Sequence, residues 1–318
     1  MSSTSRDVVR RLFVAVLGVA CASCDRRPAA VATDSTHSAV SAAPVESTTT
    51  PIVGSGWNAD AGPYLVLPTV DGGLNAGSFL RPESTELTVG DTVGVGAAIG
   101  NGQIELFSRG GKITIAQMTL ESAPKVEQGC TAWPVARLAV ERGKSTAPWT
   151  AAFAAGRVAS IALDSIEGLA PRDSARLAID LTRLASGLRD DTIATFRGLP
   201  FVVLHAWRSK GLPTEFVVAT LARRVNQEDS PKEERLVIVV DQTGADPRQW
   251  TVAWHERASG HEDELVVAEP LLAFRLRRGN DVHLLFGRDD GVALGAAILT
   301  RGPNGWRVLW ESAVAGCD

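Results

Sequence analysis

The sequence lacks the features of several protein classes. No long run of Lys or Arg occurs in its 318 residues, and the formal net charge is only −4 at neutral pH. The basic surface typical of a nucleic-acid binder is therefore missing, and no nucleic-acid partner is expected. Hydrophobic residues make up 45% of the chain and charged residues 21%, which is the ordinary composition of a globular protein. This composition excludes a fibrous or wholly disordered chain.

Motifs of common catalytic and cofactor sites are also lacking. The chain has no G-x-S-x-G nucleophile elbow, and the glycines between Gly90 and Gly102 have neither P-loop nor dinucleotide-binding spacing. Gly143-Lys144-Ser145 looks like the end of a Walker A motif, but Leu138 stands where that motif requires glycine. No cofactor is expected, and an enzyme is the less favoured class. It stays open because catalytic triads assemble from residues distant in sequence.

Cysteine is scarce, with four residues in the whole chain. Two of them, Cys21 and Cys24, lie at the end of an N-terminal leader, which leaves Cys130 and Cys317 in the remainder. In an exported chain, two remaining cysteines are most simply interpreted as a disulfide. A catalytic thiol is the alternative.

Residues 1–24 have the organisation of a secretory signal. Three arginines precede an apolar run, Leu12–Ala20, which is too short for a stable transmembrane helix. The end of this leader resembles the lipobox of bacterial lipoproteins, in which a small residue precedes a cysteine that is lipidated and becomes the new N-terminus. The resemblance covers the leader only and implies lipidation of Cys21 or Cys24. The position three before the cysteine, usually Leu-like, is Gly18 for Cys21 and Cys21 itself for Cys24.

Residues 25–56 predict a disordered tether. Between Pro28 and Pro51, 18 of 24 residues are Ser, Thr, Ala or Pro, and such a segment buries too little apolar surface to offset its ordering entropy. The expected location is the bacterial cell envelope, where the protein is anchored to the membrane by its lipid and faces the periplasm or the cell exterior. The alternative is a plain cleavable signal with the small-residue pattern Ala20-Cys21-Ala22, which would release a soluble periplasmic protein.

Residues 57–165 are predicted to form an N-terminal β segment, and residues 166–192 a helical one. The clearest hairpin joins Gln103–Phe107 to Ile113–Ala116, because paired glycines between them supply the positive φ angles of a tight turn. In the helical segment, Pro171 suits a first turn, and four leucines at spacings of four, three and four lie on one face. We expect a surface helix over residues 171–189.

Residues 199–318 are predicted to contain a duplicated four-stranded unit, with copies at about 199–260 and 265–317. The matched segments are Pro200–Trp207 with Pro270–Arg277, Phe216–Val218 with Val282–Leu284, Leu236–Val240 with Ala296–Leu299, and Trp250–Trp254 with Trp306–Trp310. Two hairpin-rich segments that only look alike are the alternative. The expected fold class is mainly β and antiparallel with one amphipathic helix, as a propeller-like, sandwich or barrel architecture.

The two Trp phrases are predicted to be equivalent core strands. Alternate residues of a strand point to one face, so each phrase is expected to bury its two tryptophans and the valine between them on the same side. The predicted core residues are Trp250, Val252, Trp254, Trp306, Val308 and Trp310. The alternative is a glycan-binding module in which exposed tryptophans stack on sugar rings.

His255 and His261 are the best candidates for chemistry. Several carboxylates lie between and after them, and imidazole and carboxylate groups are usual zinc ligands. Their spacing is wrong for H-E-x-x-H, which needs the two histidines four apart on a helix. We therefore predict no metal site, and keep as an alternative a hydrolase or metal-dependent enzyme centred on this pair.

The leading functional hypothesis is a lipid-anchored envelope protein that acts as a binding or structural module. The sequence supplies an anchor, a tether and a β body with strand edges and faces to present, which are the parts of a displayed binding domain. Its partners are expected to be the membrane, through the lipid, and an envelope protein or ligand that the sequence does not identify.

Overall fold

The structure is a computed structural model that describes residues 56–69, 73–82, 102–121, 124–141, 147–188, 194–225, 231–244, 249–261, 265–289 and 293–317. The predicted leader, both candidate lipidation sites Cys21 and Cys24, and all of the predicted tether except Gly56 lie outside these residues. The described chain is mainly antiparallel β with one α-helix, which confirms the predicted fold class. No helix within the described ranges is long and apolar enough to cross a membrane.

The first six strands close a barrel. Their order around it is β1-β2-β5-β4-β3-β6. The predicted hairpin is confirmed as β3 and β4, with Gly111 at a φ of +135° in its turn. The strands are β1 Leu65–Pro68, β2 Ala76–Leu80, β3 Gly102–Ser108, β4 Gly111–Glu121, β5 Val135–Val140 and β6 Ala151–Ala154.

Two five-stranded antiparallel sheets follow the barrel. We call the first, of order β12-β11-β10-β9-β8, the helix-side sheet, and the second, of order β16-β15-β14-β13-β7, the barrel-side sheet. Their strands are β7 Val158–Ile161, β8 Leu163–Ser165, β9 Val202–Ser209, β10 Phe216–Val225, β11 Lys232–Gln242, β12 Trp250–His261, β13 Val267–Leu276, β14 Val282–Asp289, β15 Leu294–Gly302 and β16 Gly305–Glu311. The two predicted four-stranded units are thus the meanders β9–β12 and β13–β16.

One stretch of chain, residues 151–165, contributes to all three sheets. β6 pairs with β1 and β3 in the barrel, β7 pairs with β13, and β8 pairs with β9. The predicted N-terminal segment therefore supplies the fifth strand of each C-terminal sheet. This connection fixes where the barrel and the two sheets join.

Each sheet ends in a strand with a β-bulge. On β12, Ala253 is an extra residue between Val252 and Trp254, whose partners on β11 are consecutive. On β16, Leu309 is the extra residue in the pairing with β15. A bulge breaks the alternation of side chains, so neighbouring residues take the same face and later ones change sides.

The bulges separate the tryptophans of each phrase. Trp250 packs toward the helix, whereas Trp254 packs between the two sheets. Trp306 packs between the sheets, whereas Trp310 packs toward the barrel. The prediction that each phrase presents its tryptophans on one face is therefore wrong, because strict alternation does not survive a bulge.

The two phrases are in register with each other. In each one the bulged residue, Ala253 or Leu309, stands directly before the second tryptophan. The first tryptophans, Trp250 and Trp306, are therefore equivalent, and so are the second ones.

The body is built of layers. Helix α1 (Pro171–Ser186) covers the outer face of the helix-side sheet, and its buried residues Leu177, Leu181 and Ala185 lie on that contact. A second apolar layer lies between the two sheets, and a third between the barrel-side sheet and the outer wall of the barrel. The barrel interior is filled by its own apolar cluster. The barrel-side sheet is thus covered on both faces, and the pocket described next lies on its barrel-facing side.

Candidate functional site

A pocket lies between the barrel-side sheet and the first described residues of the chain. We call residues 56–61 the strap and this cavity the strap pocket. The enclosed part of this cavity has room for about one water molecule, and the roughly 230 Å³ of empty space around it includes open solvent. The strap contributes Trp57, Asn58 and Ala61 to its walls, and the sheet contributes Phe274, Leu276, His283, Ile298, Leu309 and Trp310.

The strap is held against the sheet by aromatic packing. The Trp57 ring meets Trp310 edge to face, with centroids 4.9 Å apart, and stacks at 6.4 Å on Phe153 of the barrel. Its indole N–H donates a hydrogen bond of 2.7 Å to the carbonyl oxygen of Gly62, which closes a turn around the strap. The side chain of Asn58 caps the short 3-10 turn by accepting a hydrogen bond from the amide of Asp60.

Gly56 allows the strap to approach β16 closely. A Cβ atom at this position would lie 2.0 Å from the carbonyl oxygen of Leu309, far inside contact distance. Leu309 is the bulged residue of β16, and the bulge places its side chain beside that of Trp310 on the pocket wall. Glycine and the bulge therefore act together to shape this wall, as bulges near functional sites often do.

His283 is the one lining side chain with an unsatisfied buried atom. Its Nδ1 has no hydrogen-bond partner, although the residue is only 4% exposed. Three other polar groups on the wall have partners: Trp57 and Trp310 donate to the carbonyls of Gly62 and Pro82, and the side-chain oxygen of Asn58 accepts from a backbone amide. A buried polar atom without a partner costs free energy, so this nitrogen favours any group that can bond to it.

The imidazole of His283 is neutral near pH 7. Burial lowers its pKa below the usual value, and the carboxylate of Asp281 opposes that shift only in part. The ring stacks on Phe274 with centroids 5.1 Å apart. A neutral imidazole has one nitrogen that donates and one that accepts, so Nδ1 can serve either role according to its tautomer. As a neutral group it can form a hydrogen bond but offers no positive charge to an anion.

The two histidines singled out from the sequence do not form a common site. Both lie on β12, where His255 pairs with Ile238 and His261 pairs with Lys232. Six residues of strand separate them, which is about 20 Å along the chain. Two imidazoles at that distance cannot ligate one metal ion, and no group of three potential metal ligands occurs among the described residues. The enzyme alternative centred on this pair loses its geometric basis.

Charged side chains around this end of β12 are arranged as ion pairs. On one face of the sheet, Glu234 contacts Arg223 and Arg257, and on the other Glu233 contacts Arg224 and Arg235. Glu233 and Glu234 are almost fully buried. Because a buried carboxylate is stable only with charged or hydrogen-bonding partners, these clusters are accounted for by the fold itself.

A further ion-pair cluster links the two sheets. Arg288 of β14 donates to Glu256 of β12 at 2.7 Å and to Glu311 of β16 at 2.5 Å. Burial alone would lower the pKa of Arg288, but the two carboxylates outweigh it and raise the pKa. The arginine therefore stays charged and joins the two edge strands.

The predicted core residues are only partly in the core. Trp250, Trp306 and Trp310 are buried, Trp254 and Val252 are half-buried, and Val308 is 42% exposed on the edge strand β16. The prediction that Val308 belongs to the core is wrong, since β16 lies at the edge of its sheet. None of the tryptophans in the two phrases presents a flat exposed face, which removes the observation on which the glycan-binding alternative rested.

Cys130 and Cys317 are joined by a disulfide in the structure. The backbone around it forms an isolated bridge, and the amide of Thr131 donates to the carbonyl of Gly316 at 2.7 Å. Neither sulfur is a free thiol in this arrangement, so the catalytic-thiol alternative has no support. The bridge fastens the end of the chain beside the barrel.

The strap pocket was not predicted from the sequence. Trp57 is the first residue of the predicted N-terminal β segment and carries no motif, and His283 appears only as one polar residue in an apolar strand, Val282–Leu284. That polar residue was the available signal, because a histidine on a buried strand needs a partner. Sequence spacing alone does not bring residue 57 to residue 310.

Comparison of the chain with models of protein families, with curated proteins and with solved structures gives no match.

Proposed function

We propose that the protein is an exported, lipid-anchored binding module of the bacterial cell envelope, which takes a small ligand into the strap pocket. The leader and its lipobox-like end support the location. The observation that carries the binding role is His283, whose buried Nδ1 lacks a partner and whose side chain lines the strap pocket. Because the enclosed space holds about one water molecule, a larger ligand enters only by displacing the strap. Pockets with apolar walls and few convergent polar groups are the usual form of small-molecule sites.

A fragment screen on the purified mature protein tests the binding role. Ligand-observed NMR with a set of neutral one-ring fragments should give binders. Their affinity should drop at least about tenfold in Ala61→Leu and Leu309→Trp, which fill the pocket from the strap and from β16 respectively. Thermal unfolding checks that each variant is folded. If one of the two variants does not fold, the other still tests the pocket from a different wall.

His205→Gln is the matched control, because His205 is an exposed histidine on β9 in the other sheet. This variant should bind the same fragments with unchanged affinity. Fragments that bind both filled variants as well as the wild type, or a screen without any binder, would contradict the proposal.

A further inference from the structure

We propose that a cluster of arginines beside the strap binds the phosphate groups of anionic phospholipids and so turns this end of the body toward the membrane. We call it the arginine cluster, and it consists of Arg157, Arg275, Arg277 and Arg278. The inference goes beyond ligand binding in the strap pocket. Of the proposed function it rests only on the location at a membrane.

Two adjoining turns bring the arginine cluster together. Arg157 ends the turn between β6 and β7, and Arg277 and Arg278 begin the turn between β13 and β14. The amide of Arg277 donates to the carbonyl oxygen of Arg157 at 2.9 Å. In such a pair the two Cα atoms lie about 5 to 6 Å apart. Arg275 lies two residues before Arg277 on β13, opposite Ala159 of β7. The guanidinium groups are therefore attached to neighbouring positions of the backbone.

Carboxylates of the described residues do not balance the charge of the cluster. Its four arginines share their two turns with one carboxylate, Asp281. Asp281 acts on His283, which lies on the strap side of the barrel-side sheet. Arg275 pairs with Val282, whose side chain packs on the opposite face, between the two sheets. None of the four arginines forms an ion pair with a described residue.

Arg275 distinguishes the cluster from an ordinary solvated surface. It is half-buried, and its Nε atom is buried without a hydrogen-bond partner. Arg288 is also half-buried, but it is bonded to the carboxylates of Glu256 and Glu311. A water molecule can accept one N–H of Arg275 but leaves its charge uncompensated beside other guanidinium groups. A phosphate supplies both the acceptor and the opposite charge, and the planar guanidinium binds it through two parallel hydrogen bonds.

The arginine cluster lies beside the strap, where the predicted tether enters the body. The Cγ atom of Arg157 lies 3.5 Å from the position of a Cβ at Gly62, the residue that follows the strap. Leu276, the neighbour of Arg277, lines the strap pocket together with Asn58 of the strap. In a lipid-anchored chain this is the end of the body from which the tether leads to the membrane. Basic residues next to a membrane anchor are attracted by anionic lipids, so we assign the phosphate to lipid headgroups.

Vesicle binding by the protein without its lipid tests the cluster. The full chain with Cys21 and Cys24 replaced by serine is sedimented with vesicles of phosphatidylcholine, alone or mixed with an equal amount of phosphatidylglycerol. It should bind the mixed vesicles more tightly, and added salt should weaken that binding because exposed charges are screened. Arg277→Gln and Arg278→Gln should each lower the partition coefficient on mixed vesicles about fivefold, the contribution of one basic residue near an anionic surface.

Arg172→Gln and Arg176→Gln are the matched controls. Both arginines are exposed on α1, which covers the other sheet, and neither forms an ion pair with a described residue. These variants remove the same charge as the cluster variants and should bind mixed vesicles as the parent does. Thermal unfolding checks that all four variants are folded. An equal loss in the controls would show that only net charge matters and would overturn the inference.

A second readout follows the Nε–H resonance of Arg275 by NMR in the same lipid-free protein. This resonance should move when a short-chain phosphatidylglycerol is added as dissolved single molecules. It should stay in place with phosphatidylcholine of the same chain length. An equal or larger shift with inorganic phosphate would overturn the lipid as the ligand, in favour of a free anion.

The outcomes separate this inference from the proposed function. Vesicle binding by the lipid-free protein needs neither the anchor nor a ligand in the strap pocket, so it can fail while both remain. Equal binding to the two kinds of vesicle would overturn the membrane role of the arginine cluster alone. A failed fragment screen would overturn the binding role of the pocket and leave the vesicle result unchanged.

Discussion

Trp57 packs edge to face on Trp310, with ring centroids 4.9 Å apart and 70° between the ring planes. Trp57 belongs to the first described residues of the chain, and Trp310 belongs to its last strand. The contact therefore brings the two ends of the folded body to one wall of the strap pocket. The pocket exists only when both ends are in place.

Gly56→Ala should open the strap pocket. The added Cβ would collide with the carbonyl oxygen of Leu309, so the strap must move away from β16. We expect the indole resonances of Trp57 and Trp310 to shift and the free energy of unfolding to fall by about 1 to 3 kcal/mol, as for other overpacked sites. Gly168→Ala is the control, because nothing lies within 4 Å of a Cβ at that position. Identical behaviour of the two variants would show that the strap does not bear on the pocket.

Trp310→Ala should destabilise the protein more than Trp254→Ala does. Trp310 is 2% exposed and donates a 3.0 Å hydrogen bond to the carbonyl of Pro82, so its loss should lower the free energy of unfolding by about 3 to 5 kcal/mol. Trp254 is half-buried beside Phe286, with ring centroids 5.9 Å apart. Its replacement by alanine should lower the free energy of unfolding by less than about 3 kcal/mol. Urea unfolding of both variants measures the difference. Equal losses of stability would contradict the difference in burial between the two tryptophans.

The sequence was sufficient for elements whose signal is local. The turn glycines between β3 and β4 specify a hairpin, and leucines at helical spacing specify α1 with Leu177 and Leu181 on its buried face. The two C-terminal meanders follow from the same kind of pattern. Each of these rests on residues that are close in sequence, where propensity and periodicity act directly.

The face of the sheet on which a side chain lies after a bulge could not be predicted in this way. Ala253 and Leu309 are ordinary strand residues, and nothing in either residue type marks it as the extra one. The position of a bulge depends on packing against other layers, such as the strap over Leu309. The pocket depends on contacts of the same long-range kind, so neither it nor the role of His283 follows from spacing.

The protein should become less stable as the pH is lowered, because His283 is buried in its neutral form. Burial lowers the pKa of this histidine in the folded protein, so the unfolded chain binds its proton at a higher pH than the folded one does. The stabilisation is complete above the ordinary histidine pKa of about 6.5 and is lost as the pH falls through and below it. Urea unfolding of wild type and His283→Gln between about pH 7.5 and about pH 5.5 should show a steeper loss in the wild type. Parallel curves would mean that His283 is not desolvated.

The disulfide predicts a linked peptide in the unreduced protein. Mass spectrometry without reduction should find Cys130 joined to Cys317, which lie 187 residues apart in sequence. Replacing both by serine should lower the free energy of unfolding by about 3 to 5 kcal/mol, because the unfolded chain regains the entropy of a long loop. Two thiols that alkylate without reduction would contradict the bridge.

If the proposed lipid anchor is present, its removal should change the cell fraction in which the protein is found. With Cys21 and Cys24 both replaced by serine, the protein should move from the membrane fraction to the soluble fraction, because one apolar leader of this length does not hold it. The two single variants identify which cysteine is modified. Membrane association that persists in the double variant would contradict the anchor.

The strand order of residues 151–165 sets a sequence of events in synthesis. Synthesis proceeds from the N-terminus, so β6 can complete the barrel as soon as it is made. β8 can pair as soon as β9 has been made. β7 has no neighbour until β13 arrives, since Ala159 pairs with Arg275. A nascent chain that stops before β13 carries an open strand edge and no strap pocket. The layer between the barrel and the barrel-side sheet can therefore be completed only after β13 to β16 have been synthesised.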